Sequence, residues 1–323
     1  MPGIALALLV ALIAAPETAA AQTTVSAGQQ TGDARNRAGE GSRERKPAPA
    51  PEPEPWSFFT TLSNGFASNI HFDQEERRAY GGVIAGAVRY EGDDFSVAYE
   101  LAGHSYTNTT RWNRFSQLIQ ASIERDLPGN WEFETVGQVG FKGTSEDRDV
   151  VDQDFEVSPR LEYQFTAERR LRLFTIHRFK RYNADPDSNA FKNYLGAEFR
   201  DVTGPRRHWE IGGRLETNDE PPDRGDYRRW TYWLERSLPL TERDALLMQI
   251  RYRLKRYTQR FVEAEDQDVL RVDHRWVPSM TWARALSRDL DLRLEYTYET
   301  TYSNDPDREY GAHLIWTSIG VRW

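Results

Sequence analysis

From Trp56 to the C-terminus, apolar and polar residues exchange places at almost every step, in blocks separated by turn-forming residues. The stretch Asp154 to Phe165 shows the period: Phe155, Val157, Pro159, Leu161, Tyr163 and Phe165 alternate with Asp154, Glu156, Ser158, Arg160, Glu162 and Gln164. A second stretch sets Leu290, Leu292, Leu294, Tyr296 and Tyr298 against Asp291, Arg293, Glu295, Thr297 and Glu299. A period of two sustained over this length belongs to a strand with one apolar face, not to a helix. Fourteen such stretches are readable, beginning with Trp56 to Phe66, Tyr80 to Tyr90, Phe95 to His104, Arg114 to Glu124 and Trp131 to Lys142. Then come Asp154 to Phe165, Leu171 to Lys180, Tyr194 to Arg200, Trp209 to Thr217 and Arg228 to Leu238. The last four are Leu246 to Lys255, Leu270 to Leu286, Leu290 to Tyr302 and Tyr310 to Trp323. In the tenth, Arg236 breaks the apolar row of Trp230, Tyr232 and Leu234, which predicts a bulge there.

The connections alternate as well. EGDD, LPGN, AERR, TGPRRH, LTERD and SRD are short, and longer acidic segments fall between them. With the short turns gathered at one end, Trp56, Tyr90, Phe95, Trp131, Phe165, Trp209 and Trp323 collect at that end and on the apolar face. Amphipathic rings in such a belt belong at a lipid headgroup level, so the apolar face is expected to meet lipid. An open sheet in lipid leaves backbone groups without partners, so the last strand must pair with the first. The expected fold is all-β: a closed antiparallel transmembrane barrel over 56–323.

The closing stretch, YGAHLIWTSIGVRW, aligns Ile315, Thr317, Ile319, Val321 and Trp323 on one face and ends on the aromatic. It resembles the last strand of Gram-negative outer-membrane β-barrels. The resemblance implies that Ile319, Val321 and Trp323 form a signal read by barrel-assembly machinery, with outer-membrane lipid as the surrounding solvent. Short turns in such barrels face the periplasm, so an even strand count puts both termini there. The first stretch contains LSNGFASNIHF, which resembles the opening strand of barrels in surface-lipoprotein and polysaccharide export proteins.

Composition agrees with this fold. Mean hydropathy is −0.75, which excludes a bundle of apolar helices but not a barrel, where only alternate residues face lipid. Tyr 15, Phe 15 and Trp 10 make a chain rich in strand formers, and the absence of cysteine removes disulfides, thiol catalysis and thiolate metal sites. Ahead of the barrel, an apolar run from Ile4 to Ala15 followed by Ala19, Ala20 and Ala21 reads as a signal peptide over 1–21. Residues 22–55 carry five basic and five acidic residues and end in PAPAPEPEP. That composition predicts a disordered linker whose proline-rich end is a spacer of about 28 Å at about 3.1 Å per residue, within reach of a periplasmic partner.

Fourteen strands imply a narrow lumen if the interior is hydrated, and the polar faces are charged enough to favour water. The inward acids Glu124, Glu132, Glu134, Asp154, Glu156 and Glu162 outnumber Arg114, Lys142 and Arg160, six to three, on the fourth to sixth strands. On the eleventh to thirteenth, Arg251, Arg253, Lys255, Arg271, Arg275 and Arg293 outnumber Asp273, Glu295 and Glu299 by the same margin. In a ring of fourteen these groups face each other, which predicts a transverse field, blurred by Arg172, Arg178 and Lys180. A narrow channel for small polar or charged solutes is therefore the leading reading, with an export or assembly barrel as the alternative. A membrane-embedded hydrolase is the third class, for which His71, Asp73, His104 and Ser105 are the rim candidates. Acids such as Glu146, Asp149, Asp187, Asp223 and Asp266 in the long segments could hold divalent cations. No cofactor and no nucleic-acid partner is expected.

Overall fold

The computed structural model describes residues 55–69, 78–107, 113–144, 150–182, 189–204, 206–220, 225–264 and 267–323. The expected signal peptide, the linker up to residue 54, His71, Asp73 and the acids Glu146, Asp149, Asp187, Asp223 and Asp266 lie outside the described residues. Fourteen strands follow one another: β1 (Trp56–Ala67), β2 (Ala79–Glu91), β3 (Phe95–Tyr106), β4 (Arg114–Leu127) and β5 (Trp131–Thr144). Next are β6 (Val150–Gln164), β7 (Arg169–Tyr182), β8 (Ala190–Gly204), β9 (Arg207–Asp219) and β10 (Tyr227–Pro239). The chain ends in β11 (Asp244–Ala264), β12 (Gln267–Ala285), β13 (Leu290–Ser303) and β14 (Tyr310–Arg322).

Every strand pairs antiparallel with its neighbours in sequence, and β1 pairs with β14 to close the barrel. At the seam Leu62 lies opposite Ile319 and Thr60 opposite Val321, while Phe58 and Trp323 exchange backbone hydrogen bonds of 3.0 and 3.2 Å. The terminal residue thus stays in the ladder, with its ring 63% exposed on the outside. Between β4 and β5, Gly129 (φ 78°) and Asn130 (φ 64°) take the left-handed backbone that glycine and asparagine tolerate, which keeps this hairpin short.

The outer face is apolar in every strand, as Leu62, Ile119, Phe155, Leu195, Ile211, Ile250 and Leu294 show. At the short-turn end the aromatic belt forms two connected runs. Trp56 meets Tyr90 at 5.0 Å and Tyr90 meets Phe95 at 5.6 Å. Further round, Trp131, Tyr163, Phe165, Phe199 and Trp209 follow one another at centroid separations of 4.7, 4.9, 6.3 and 5.3 Å. Tyr163 and Phe199 complete this second run, although neither stands first or last in its sequence stretch.

Two sequence expectations need correction. Arg236 causes no bulge: it pairs in unbroken register with Trp209 and Met248. It stays on the outer face three residues from the end of β10, where a long cationic side chain can reach the headgroup layer. The register shifts fall instead at Lys142/Gly143, Val202/Gly204 and Arg256/Phe261. The segment expected as a loop after Lys255 continues as strand, and beyond the shift Phe261 and Val262 pair with Leu270 and Val269. Strand-forming residues outweigh the surrounding charges there, and β11 and β12 project past their neighbours as a hairpin.

Inside, near the long-connection end, Ala67, Ala79, Val83, Tyr106, Ala312, Leu314 and Trp316 form an apolar cluster. Trp316 covers Gly65 and Tyr106 covers Gly81, the rings lying where a Cβ would otherwise sit. Changing Gly65→Ala should therefore cost about 1–3 kcal/mol of overpacking strain. Gly137→Ala, where a Cβ meets nothing within 4 Å, should be neutral or slightly stabilising. Urea unfolding in detergent separates the two. Trp323→Asp should abolish stable membrane insertion, read as loss of the unheated, fast-migrating band in gels.

Candidate functional site

Register alone sorts the charged residues, because cross-strand partners share a face. The lumen-facing set includes Glu132, Glu134, Glu156, Glu162, Arg251, Arg253, Lys255, Arg271, Arg275 and Arg293, on the same side of the sheet as the buried Tyr194, Tyr227 and Glu216. Ile319, Val321 and Trp323 take the opposite, outer face.

The opposed-wall arrangement does not survive the pairing of β6 with β7. Arg170, Arg172, Arg178 and Lys180 all face inward from β7; added to Arg114, Lys142 and Arg160 they make seven cations against eight inward acids on β4 to β6, the six named and Asp126 and Asp152. Glu162 is held by Arg172 at 2.9 Å and Arg170 at 3.2 Å, Glu134 by Arg160 at 3.0 Å, and Asp154 by Arg178. Glu156 lies 3.8 Å from Arg178, and Arg172 also reaches Glu198 at 2.9 Å. From β5 to β8 this wall is close to neutral, a lattice of paired charges instead of a negative surface.

The wall from β9 to β12 is different. Facing inward are seven cations, Arg214, Arg229, Arg251, Arg253, Lys255, Arg271 and Arg275, and four carboxylates, Glu210, Glu216, Glu235 and Asp273. The carboxylates are already engaged. Glu210 accepts from Arg200 at 2.9 Å and from Trp233 Nε1 at 2.8 Å. Glu216, with no exposed surface, accepts from Arg229 and from the Tyr227 hydroxyl at 2.6 Å. Glu235 is held by His208 and Gln249, each at 2.9 Å. Asp273 accepts from Arg271 at 2.8 Å and Ser303 at 2.7 Å. Arg275 pairs with Glu299 of the neighbouring β13. Towards the long connections Lys255 sits 3.9 Å from the Tyr227 ring centre and 4.1 Å from that of Tyr257, and Arg271 stacks on Tyr257 at 4.9 Å. On β13, Arg293 is bound to Asp291 at 2.6 Å and Glu295 accepts from Thr297 at 3.3 Å.

Seven strands round the ring from β8 to β10, many inward positions of β1 to β3 are small, among them Ser57, Thr61, Ser63, Gly65, Ala67, Ala85, Ala87, Ser96, Ala98 and Ala102, beside the larger Phe59, Arg89, Glu100 and His104. The arginines of β11 and β12 stand opposite β4 and β5, whose inward positions include Ser116, Gln120, Glu124, Glu132 and Glu134. The charge excess was partly visible in sequence as the Arg251, Arg253 and Lys255 alternation. Arg214 and Arg229 were missed, because each stands as a single cation beside a glutamate in its own or the neighbouring stretch.

His104 and Ser105, adjacent on β3, point to opposite faces, with His104 buried inside and Ser105 exposed outside. A serine–histidine pair is therefore not assembled from them. Among the described residues no three histidine, aspartate or glutamate side chains come together as a metal-ligand set.

No known protein family matches the chain, and no curated protein matches it by sequence. Its fold, by contrast, is widely shared. A loop L8 deletion variant of OmpT, an outer membrane protein of Vibrio cholerae, superposes with a TM-score of 0.50 at 7% identity, covering 83% of this chain and 99% of that one. An anion-selective porin from Comamonas acidovorans matches with a TM-score of 0.49 at 9% identity, over 83% of this chain and 98% of that one. Pseudomonas aeruginosa OprD matches with a TM-score of 0.43 at 7% identity, over 83% and 95%. At such identities the likeness is one of fold, a closed antiparallel β-barrel.

The pairing makes one residue a sensitive probe. Glu216→Gln should strip Arg229 of its charge partner inside the barrel and destabilise the protein by about 3–5 kcal/mol. Arg125→Gln, which removes an exposed pair with Asp94, should change stability by under about 1 kcal/mol. Urea midpoints in detergent read both.

Proposed function

We propose that the chain is an integral outer-membrane channel for small polar or charged solutes, with a preference for anions. The observation that carries this reading is the uneven interior: seven inward cations against four engaged carboxylates on β9 to β12. A dry packed core would need apolar or fully paired interior faces, whereas cations in excess of their fixed partners require water or a mobile counter-charge. The apolar outer band and the aromatic belt support residence in a bilayer. The fold shared with an outer membrane protein of Vibrio cholerae supports the outer membrane.

In this reading the short turns and both termini are periplasmic. Residues 1–21 direct export, residues 22–55 form the linker towards a periplasmic partner, and residues 56–323 form the barrel. Ile319, Val321 and Trp323 serve as the assembly signal. The lumen residues set selectivity: the β5–β7 lattice is self-neutralised, and the β9–β12 wall supplies the net field.

In planar bilayers at about 10 mM salt, where the Debye length is about 30 Å, reconstituted protein should give stable small-conductance steps with a reversal potential favouring anions. Replacing Arg251, Arg253 and Lys255 together with glutamate should reverse that preference. Neutralising Glu134, Glu156 and Glu162, each balanced by neighbouring arginines, should shift it less. A bilayer that stays silent at all salt concentrations would remove the channel reading.

A further inference from the structure

Four adjacent strands present donors without protein partners at the same level. Cross-strand register places Arg214 of β9 opposite Thr231 of β10, Thr231 opposite Arg253 of β11, and Arg253 opposite Arg275 of β12. Arg214 Nε, Thr231 Oγ1, Arg253 Nε and Arg275 Nε are all buried and make no hydrogen bond to the protein. Thr231 is 2% exposed and Arg253 7%. No carboxylate stands in this row from β9 to β12, and those nearby are already engaged by Arg229, Tyr227, His208, Gln249, Arg271 and Ser303. Arg214 lies 5.0 Å from the Tyr194 ring centre and Arg275 pairs with Glu299, so both are oriented while their Nε atoms stay unused.

Buried donors without partners are rare and costly, and buried arginines more so, which makes four in one line a feature to be explained by a ligand. Arg214 is five residues beyond Trp209 in the aromatic belt. That is about 16 Å along a strand at about 3.3 Å per residue, or about 12 Å of height at a 45° tilt, half-way up an apolar band about 25 Å tall. The row is therefore at mid-depth on the inner wall, out of reach of lipid phosphates at either surface.

We infer that this row is a binding site for a doubly charged oxyanion, inorganic phosphate or a phosphate monoester, centred on Arg253 and Thr231 with Arg214 and Arg275 to either side. The inference rests on the lumen being hydrated, as the channel reading requires. A guanidinium presents Nε–H and Nη–H as a fork that fits two oxygens of one anion, and a threonine hydroxyl donates to a third. A carboxylate offers two oxygens and one charge, which would leave donors unused; a phosphoryl group offers three terminal oxygens and up to two charges.

The test is titration calorimetry on the detergent-solubilised barrel with sodium phosphate, sodium acetate and sodium chloride at matched low ionic strength, beside phosphate block of chloride current in bilayers. Saturable phosphate binding, about tenfold tighter than acetate, is expected, together with block of the current over the same concentration range. Arg253→Gln should weaken phosphate binding about tenfold or more, Arg253→Lys less, and Thr231→Val several-fold, while Arg89→Gln on β2 changes it under about twofold. Thr231→Val is near-isosteric and keeps the test decisive if a charge change prevents folding. Phosphate binding no tighter than chloride, or insensitive to both Arg253→Gln and Thr231→Val, overturns the site even if the barrel conducts. Tight, Arg253-dependent phosphate binding by a barrel that never conducts upholds the site and overturns the channel.

Discussion

The hydrogen-bonding needs of the backbone in a medium without water decide this structure. A strand edge in hydrocarbon leaves N–H and C=O groups unpaired at several kcal/mol each, so the sheet has to close. The seam between β1 and β14 is where that requirement is met, with nine residue pairs in register from Phe59 opposite Arg322 to Ala67 opposite Leu314. Closure has a second consequence. Once the sheet is a ring, the period of two sends half of every strand outward to lipid and half into a shared interior, so the polar residues of fourteen separate strands become neighbours.

How those neighbours meet differs round the ring. From β5 to β8 acids and arginines alternate across strands, and Glu134, Asp154, Glu162 and Glu198 each lie against an arginine of an adjacent strand. Such a lattice stiffens the wall and has little net field. From β9 to β12 the carboxylates are too few and are bound at the edges of the patch, by Tyr227, His208 and Ser303 among others. The remaining guanidiniums lie beside one another, and in a partly desolvated lumen their field is weakly screened. On β1 to β3 alanine, glycine and serine take many of the inward positions, and near the long connections an apolar cluster forms around Trp316 and Tyr106. The interior is thus uneven round the ring, with its excess of cations on β9 to β12.

Glycine beneath an aromatic ring recurs on the inner surface. Besides Trp316 over Gly65 and Tyr106 over Gly81, Phe174 covers Gly196 and Trp233 covers Gly212. In each case a large ring lies flat against the neighbouring strand instead of projecting into the lumen. That arrangement shields the exposed backbone of the glycine and lets a bulky residue sit inside a narrow barrel without filling it.

The amino-acid sequence by itself determined the strands, their order, their two faces and most of the aromatic belt. Each of these follows from a local rule: alternation with a period of two, turn residues between blocks, and amphipathic rings at strand ends. The inward direction of Arg253, Glu162 or Arg275 was legible for the same reason. What the sequence could not determine was which inward charges would meet, because that depends on the stagger between strands, and stagger is set by how all fourteen ladders close together. Counting charges strand by strand suggested an acidic wall; the register of β6 against β7 instead placed Arg172 beside Glu162 and Arg178 beside Asp154. Arg214, Thr231, Arg253 and Arg275, spread over sixty-two residues of chain, became one row only through three successive registers. Local pattern decides which way a side chain points, and the closed tertiary structure decides what it finds there.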